Sequence, residues 1–203
     1  MMTWTTKGTR NRMVKSVKKT YVVGVAGGSA SGKSTFTEIL TNKLSGLKVH
    51  IFHMDNYFKE ENERPHTPSH INGIVYMDDN HPLTMDLSRL ADDIRAEIDR
   101  STYDIIIIEG LLTLWDDAIY SMLDLKLFID CRADERIVRR LRRNMAGGLS
   151  FEEISAVYLD MVRFRHDQYV EPSKWRADLI LNGSLPFEYT ADFIVIQIQK
   201  IIR

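Results

Sequence analysis

The chain reads as an α/β protein, a mostly parallel five-stranded sheet with helices on both faces. Three observations predict this. Apolar runs of five or six residues recur at 21–26, 48–52, 103–108, 125–130 and 177–181, and segments of helical periodicity separate them. That alternation favours crossover connections between parallel strands. The third observation is the unbroken run Ile105-Ile106-Ile107-Ile108, the composition of a parallel strand buried on both faces.

The first strand leads into Gly27-Gly28-Ser29-Ala30-Ser31-Gly32-Lys33-Ser34, which fits the pattern Gly, four residues, Gly-Lys, Ser or Thr. Glycines let such a loop turn its backbone N–H groups inward around an anion. Lys33 supplies a point charge for the outer phosphates, and the Ser34 hydroxyl is placed to ligate Mg²⁺. Phe36, Ile39, Leu40 and Leu44 then recur at helical spacing, so a helix N-terminus faces the same phosphates. The alternative, a Gly/Ser-rich turn followed by a chance Lys-Ser, does not account for a strand before it and a helix after it. Gly28, Ser29, Ala30, Ser31, Gly32, Lys33, Ser34 and Thr35 are therefore the expected nucleotide-binding residues.

Composition sets the bounds. A chain of 203 residues can bury its own core, and no apolar run approaches the roughly 20 residues of a membrane span. The single cysteine, Cys131, cannot form an internal disulfide, which suits a reducing cytoplasm. Residues 1–20 contain six basic residues and no acid, leaving 21 basic and 28 acidic residues, a balance of −7, for the remainder. The organisation expected is a basic, solvated extension over 1–20 and one phosphate-loop domain over 21–203. A basic arm of this kind could also meet nucleic acid, an acidic membrane or a targeting receptor.

After the second strand comes Asp55, at the carboxyl edge where open α/β sheets bind ligands. Residues 56–86 hold Pro65, Pro68 and Pro82 without sustained periodicity and read as a long substrate-side loop with room for a short helical turn. Leu87, Leu90, Ala91, Ile94 and Ile98 mark an amphipathic helix. Glu109 closes the 103–108 strand, where an acid can hold Mg²⁺ directly or through water; the plainer role is to cap the next helix. The strand at 125–130 leads into a helix from about residue 134 bearing Arg136, Arg139, Arg140, Arg142 and Arg143. All but Arg142 share one broad face. They read as a lid over about 134–150 that closes on phosphate oxygens, with a nucleic-acid surface as the competing reading. Gly147-Gly148 supplies a joint, 151–168 a second helix that 169–172 ends, and 187–202 a final helix.

A phosphate loop, a magnesium acid, a carboxylate at Asp55 and an arginine lid are the parts of a phosphoryl-transfer site. Asp55 would align an acceptor hydroxyl and take its proton, while Lys33, Arg140 and Arg143 stabilise the charge on the transferred group. ATP and Mg²⁺ are the implied cofactors, and Ser34 and Glu109 the metal-side residues. A guanine-specific switch is excluded, because the only Asn-Lys, Asn42-Lys43, continues into Leu44-Ser45 within the first helix.

Across 21–183 the chain resembles the uridine-cytidine kinases of the phosphoribulokinase and uridine kinase group. The loop Gly27 to Ser34 is close to that family's own. His53-Met54-Asp55-Asn56-Tyr57-Phe58 is similar to its Asp-Ser-Phe-Tyr segment, whose Asp is the catalytic base. Asn80-His81-Pro82 resembles its Asp-His-Pro, Glu109-Gly110-Leu111-Leu112 its Glu-Gly-Ile-Leu, and Arg139 to Arg143 its lid helix. The run Gln168 to Lys174, followed by Ala177-Asp178, resembles its late signature. The resemblance implies an ATP-dependent kinase of a nucleoside, with Asp55, Tyr57, Asn80, His81 and Arg140 touching the acceptor. It also implies a small-molecule substrate, with no nucleic acid, no membrane and scope for homo-oligomers. The family's acidic residue before His-Pro is Asn80 here, and its later lid arginines give way to the region Ala146 to Leu149. Its pyrimidine-reading hairpin has no counterpart between the helix at 87–98 and the strand at 103–108. Nicotinamide riboside kinases, which resemble this pattern and lack that hairpin, are the alternative, as is another small ribosyl or sugar alcohol. A different class, a non-catalytic nucleotide-binding or RNA-associated regulator, would use the arm and lid without turnover.

The remaining candidates divide between site and scaffold. His81 serves either as a turn residue before Pro82 or as a substrate contact. Tyr57, Phe58 and Tyr76 either stack on the acceptor or anchor their loop. The histidines show no metal-ligand spacing, with His50 and His53 on a strand and its exit; His166 reads as a packing residue and Cys131 as inert.

Overall fold

The computed structural model describes residues 20–202, so the expected basic extension lies, but for Thr20, outside the described residues. In chain order the strands are β1 (Tyr21–Gly27), β2 (Val49–His53), the short pair β3 (His66–Pro68) and β4 (Val75–Met77), β5 (Ile105–Glu109), β6 (Leu125–Asp130) and β7 (Leu179–Asn182). The α-helices are α1 (Lys33–Lys43), α2 (Leu87–Arg100), α3 (Asp117–Tyr120), α4 (Ala133–Ala146), α5 (Phe151–Val157), α6 (Arg163–Arg165) and α7 (Glu188–Ile202). The main sheet has the order β2-β5-β1-β6-β7, with every pairing parallel, as the apolar runs predict.

The isoleucine run explains the layering. Successive side chains of a strand point to opposite faces. Ile106 and Ile108 accordingly join Leu90, Ala91 and Ile94 of α2 on one side of the sheet. Ile105 and Ile107 join Phe36 and Leu40 of α1 and Ala191, Ile194 and Ile198 of α7 on the other. All four isoleucines are fully buried, so neither face of β5 has a polar position before Glu109.

Three aspartates finish the amino edge of the sheet. Asp104, Asp124 and Asp178 each stand just before a strand and accept a hydrogen bond from a backbone N–H at the start of a neighbouring strand: Lys48, just before β2, at 2.9 Å, Val22 of β1 at 2.9 Å and Lys126 of β6 at 2.8 Å respectively. Each satisfies a terminal N–H that the ladder leaves over.

The segment 56–86 departs from the expected loop. It contains 3₁₀ turns at Met54–Tyr57, Glu61–Glu63 and Pro82–Thr84 and the antiparallel pair β3–β4. The strands are three residues long, too short for an alternating pattern to register in the sequence. Long-range polar contacts hold the pair in place. Arg165 Nε donates to Asp78 Oδ2 at 2.6 Å, Thr67 Oγ1 to the same oxygen at 2.9 Å, and Arg165 Nη2 to Thr67 Oγ1 at 3.1 Å. From the tip, Asn72 Nδ2 and Tyr76 Oη donate to Asp160 Oδ2 at 2.7 and 2.9 Å.

The helix expected over 151–168 continues to Val170, with π-helical turns at Tyr158–Val162 and His166–Val170 on either side of α6, and a 3₁₀ turn at Glu171–Arg176 follows. Local widening of this kind is frequent at functional sites. Here it accompanies Asp160, which meets the hairpin, and His166, which meets the phosphate loop.

Tyr57 shows how the segment is anchored. It is buried, and its hydroxyl donates to Asp93 of α2 at 2.8 Å, with the Arg89 guanidinium 5.0 Å from the ring centroid. Burial first, then the Asp93 hydrogen bond and charge, push its pKa up to about 12. A phenol whose pKa is raised by folding stabilises the fold fully below its unfolded value near 10 and loses that contribution as pH climbs to about 12. Tyr57→Phe is expected to cost about 1 kcal/mol at neutral pH. It should also remove part of the stability loss between pH 10 and 12, measured by urea unfolding across that range.

Candidate active site

The loop after β1 closes on itself as the glycines allow. Gly27 and Gly32 have φ of 146° and 102°, and a Cβ on Gly27 would lie 2.6 Å from the Ile129 carbonyl oxygen. Gly32 is the N-cap residue of α1, and no side chain caps that terminus. α2, α3 and α5, by contrast, are capped by Asp86, Asp116 and Ser150. The first N–H groups of α1 are thus left for an anion.

Lys33 is buried at the start of that helix and donates to Gly28 O at 3.1 Å. Burial lowers its pKa; Glu109 and Asp55 oppose the shift, and Arg143 and Arg136 add to it. Ser34 Oγ donates to Glu109 Oε1 at 3.2 Å. The other carboxylate oxygen, Oε2, accepts from His53 Nδ1 at 2.9 Å. Among the described residues no cluster of three or more His, Cys, Asp or Glu side chains could cage a metal. Ser34 and Glu109 are hard oxygen donors, and the pair fits Mg²⁺, an ion that takes few protein ligands and completes its shell with phosphate and water.

The arginines of α4 divide as the helical spacing predicts. Arg136 is buried, donates from Nε to Cys131 O at 3.0 Å, and lies so close to Gly28 that a Cβ there would sit 2.6 Å from its Nη1. Arg139 donates to Gly183 O at 2.9 Å and pairs with Glu135 at 3.2 Å. Arg140 and Arg143 reach Ser29 Oγ at 3.2 and 3.5 Å. Burial and the charge of Arg143 both disfavour the cation on Arg140, whose Nε is buried without a hydrogen-bond partner. Arg142 lies off this face and is exposed. His166 adds a second contact to the loop: its Cε1 would be 3.0 Å from a Gly28 Cβ, and its Nε2 lies 3.3 Å from Glu171 Oε2. Burial, then Arg136, lower its pKa.

A cleft of about 660 Å³ gathers these groups. Ser29, Ala30, Gly32, Lys33, Ser34 and Thr35 form one wall, and Asp55, Glu109, Arg139 and Arg143 converge on the same space. Asp55, exposed in the turn after β2, therefore shares one volume with Lys33 and the metal-side pair. Gly28 and Ser31 are buried under the loop, and Arg140 meets it through Ser29.

Four residues expected at the acceptor do not line this cleft: Arg140, which reaches it only through Ser29, and Tyr57, His81 and Asn80. Tyr57 takes the anchoring role, one of the two weighed for it: its ring is buried and its hydroxyl is held by Asp93. His81 is the N-cap of the turn Pro82–Thr84: its Nδ1 accepts from Leu83 N at 3.1 Å and its ring meets Tyr169 edge-on at 5.4 Å. Asn80 donates its backbone N–H to Asp78 Oδ1 at 3.3 Å and stands beside the buried Asp78–Arg165 pair.

Sequence reading missed other contributors. Leu185, Pro186 and Phe187, in the turn between β7 and α7, complete the cleft; the Gly183 just past a strand was the available signal. His53 gave no signal, since its partner is set by the β2–β5 register.

A parallel α/β sheet that carries this loop, with a carboxylate and a cation pair at its carboxyl edge, defines the class of P-loop kinases. The chain belongs to the phosphoribulokinase / uridine kinase family, whose model matches residues 75–188. It is 31% identical over 209 residues to a uridine kinase of Anoxybacillus flavithermus, an alignment covering 92% of this chain and 97% of that protein. It is 30% identical over 208 residues to a uridine kinase of Bacillus cereus, covering 91% and 96%. Among solved structures, a Silicibacter protein described as a candidate fructose transport system kinase superposes with a TM-score of 0.61 at 16% identity, over 80% of this chain and 89% of that one. A candidate uridine kinase from Bacillus stearothermophilus gives 0.53 at 18% identity, over 81% and 89%. At these identities the solved structures bear on the fold alone. No helix among the described residues is long and apolar enough to cross a membrane.

Proposed function

We propose that the chain transfers the terminal phosphoryl group of ATP to a hydroxyl of a nucleoside, with uridine or cytidine as the leading acceptor. The observation that carries this reading is the placement of Asp55 in one cleft with Lys33, Ser34, Glu109 and Arg143. Membership of the family and the names of the two relatives support the kinase class and the pyrimidine nucleoside.

In this reading the loop N–H groups and Lys33 hold the phosphates, and Ser34 and Glu109 hold Mg²⁺, whose charge offsets that of the β- and γ-phosphates. Asp55 accepts the proton of the acceptor hydroxyl as its oxygen bonds to the γ-phosphorus and the bond to the β-phosphate oxygen breaks. ADP and a phosphorylated alcohol result. Lys33, Arg140 and Arg143 stabilise charge on the transferring group, and the closed α4 face keeps water from competing as acceptor.

One observation favours a second acceptor class. α2 ends at Arg100 and β5 begins at Ile105, so residues 101–104 leave no space for a base-reading hairpin there. Nicotinamide riboside or another ribosyl alcohol fits that shorter wall. ADP release across a panel of pyrimidine and purine nucleosides, nicotinamide riboside and simple sugar alcohols decides between them. Stimulation by uridine or cytidine well above the acceptor-free rate is expected. A panel in which no alcohol exceeds that rate would end the kinase reading and leave the nucleotide-binding regulator.

A further inference from the structure

We infer that His53 is a positioning residue for the divalent cation, holding Glu109 in the orientation that directs its other oxygen to Ser34. This inference rests on the reading of Glu109 as a cation ligand.

The arrangement follows from the sheet. β2 and β5 are parallel, and their register pairs His53 with Glu109 at the last position of each strand. Residues directly opposite on neighbouring strands project to the same face, so imidazole and carboxylate stand side by side. A carboxylate accepts only, so the 2.9 Å contact is a donation from Nδ1 to Oε2. The 3.2 Å contact at the other end of the same carboxylate is a donation from Ser34 Oγ to Oε1. Glu109 is thus held at both oxygens, from β2 on one side and from α1 on the other.

A glutamate needs that second hold. It has three rotatable bonds, and one hydrogen bond at Oε1 leaves the carboxylate free to turn about the last of them. Its side chain is 10% exposed with the imidazole in place, so it is the imidazole and not bulk water that meets Oε2. The His53 side chain is 47% exposed and borders a smaller cleft of about 320 Å³ with Ser34, Thr37, Glu38, Thr41 and Ile51. It contributes little to the core, and its one resolved polar contact points to the metal-side acid. Its ring meets no loop glycine and no α4 arginine, which separates its role from that of His166. Hydrogen bonds behind a ligating carboxylate commonly contribute 10–100-fold to metal affinity.

The test uses Mn²⁺ as the probe, with free Mn²⁺ followed by electron paramagnetic resonance in the presence of full-length protein saturated with β,γ-imido-ATP. His53→Ala is expected to weaken Mn²⁺ binding by about 10–100-fold. Nucleotide affinity in EDTA should be unchanged, and the thermal midpoint should move by no more than about 2 °C. His53→Asn, which retains a donor near the Nδ1 position, should recover most of the affinity. Glu109→Gln marks the loss of the ligand itself. If Glu109→Gln loses Mn²⁺ while His53→Ala binds it like the parent, the positioning role is wrong and the reading of Glu109 stands. If Glu109→Gln binds Mn²⁺ like the parent, the reading of Glu109 fails and the inference with it. A loss in His53→Ala without one in Glu109→Gln also overturns the inference, since the imidazole would then act independently of the acid.

Discussion

Asp55→Asn is expected to lower kcat by about 10²–10⁴, the range that a positioned general base contributes. The amide keeps the size and one acceptor oxygen of the carboxylate but takes no proton, so the hydroxyl would have to attack before losing its hydrogen. Nucleotide binding should persist, because the loop N–H groups, Lys33 and the Ser34–Glu109 pair are untouched. Asp55 is exposed and makes no side-chain hydrogen bond among the described residues, so the fold should tolerate the change. The measurement is ADP formation with the preferred acceptor alongside calorimetric titration of the ATP analogue. Retention of more than a tenth of the parent turnover would remove Asp55 from the role of base. Loss of nucleotide binding in parallel would assign it to the metal instead.

The second large effect concerns stability. Arg165→Ala is expected to cost about 3–5 kcal/mol, the usual consequence of leaving a buried charge without its partner. Asp78 is completely buried, and Arg165 and Thr67 both donate to one of its oxygens. Among the described residues, removing the guanidinium leaves the carboxylate with Thr67 and the Asn80 backbone N–H. The loss should appear as a fall in thermal midpoint of about 6–20 °C for a chain of this length, with faster amide exchange across β3 and β4. Replacing both partners, as Asp78→Leu with Arg165→Met, should recover much of the stability, because an apolar pair carries no desolvation penalty. A single-variant cost below about 1 kcal/mol would place the pair among ordinary surface bridges. The hairpin would then depend on the Asp160 contacts instead.

How far the sequence carried depends on the range of the interaction that fixes each feature. The phosphate loop was legible because its residues are consecutive and its flanking strand and helix are each set by local pattern. The four inward arginines of α4 were legible for the same reason, since positions three and four apart share a helix face. The anchoring of Tyr57 could not be settled from sequence because its partner Asp93 lies 36 residues on, across a turn that no local pattern reports. His53 was passed over because only the pairing of β2 with β5 brings it to Glu109, 56 residues away. The β3–β4 pair escaped because its strands are short and its stability comes from Asp78, Arg165 and Asp160, a polar network spread over nearly a hundred residues.

The carboxylates of Asp104, Asp124 and Asp178 finish one end of the sheet, and Lys33 with the inward arginines of α4 gathers at the other. The two ends therefore divide the work of the sheet: the first closes its strands, and the second sets Lys33, Arg139 and Arg143 beside Asp55, Glu109 and Glu188 around one cleft. Cations held there strengthen the attraction of a triphosphate at short range, and added salt should weaken its capture, because exposed charges are screened beyond about a Debye length.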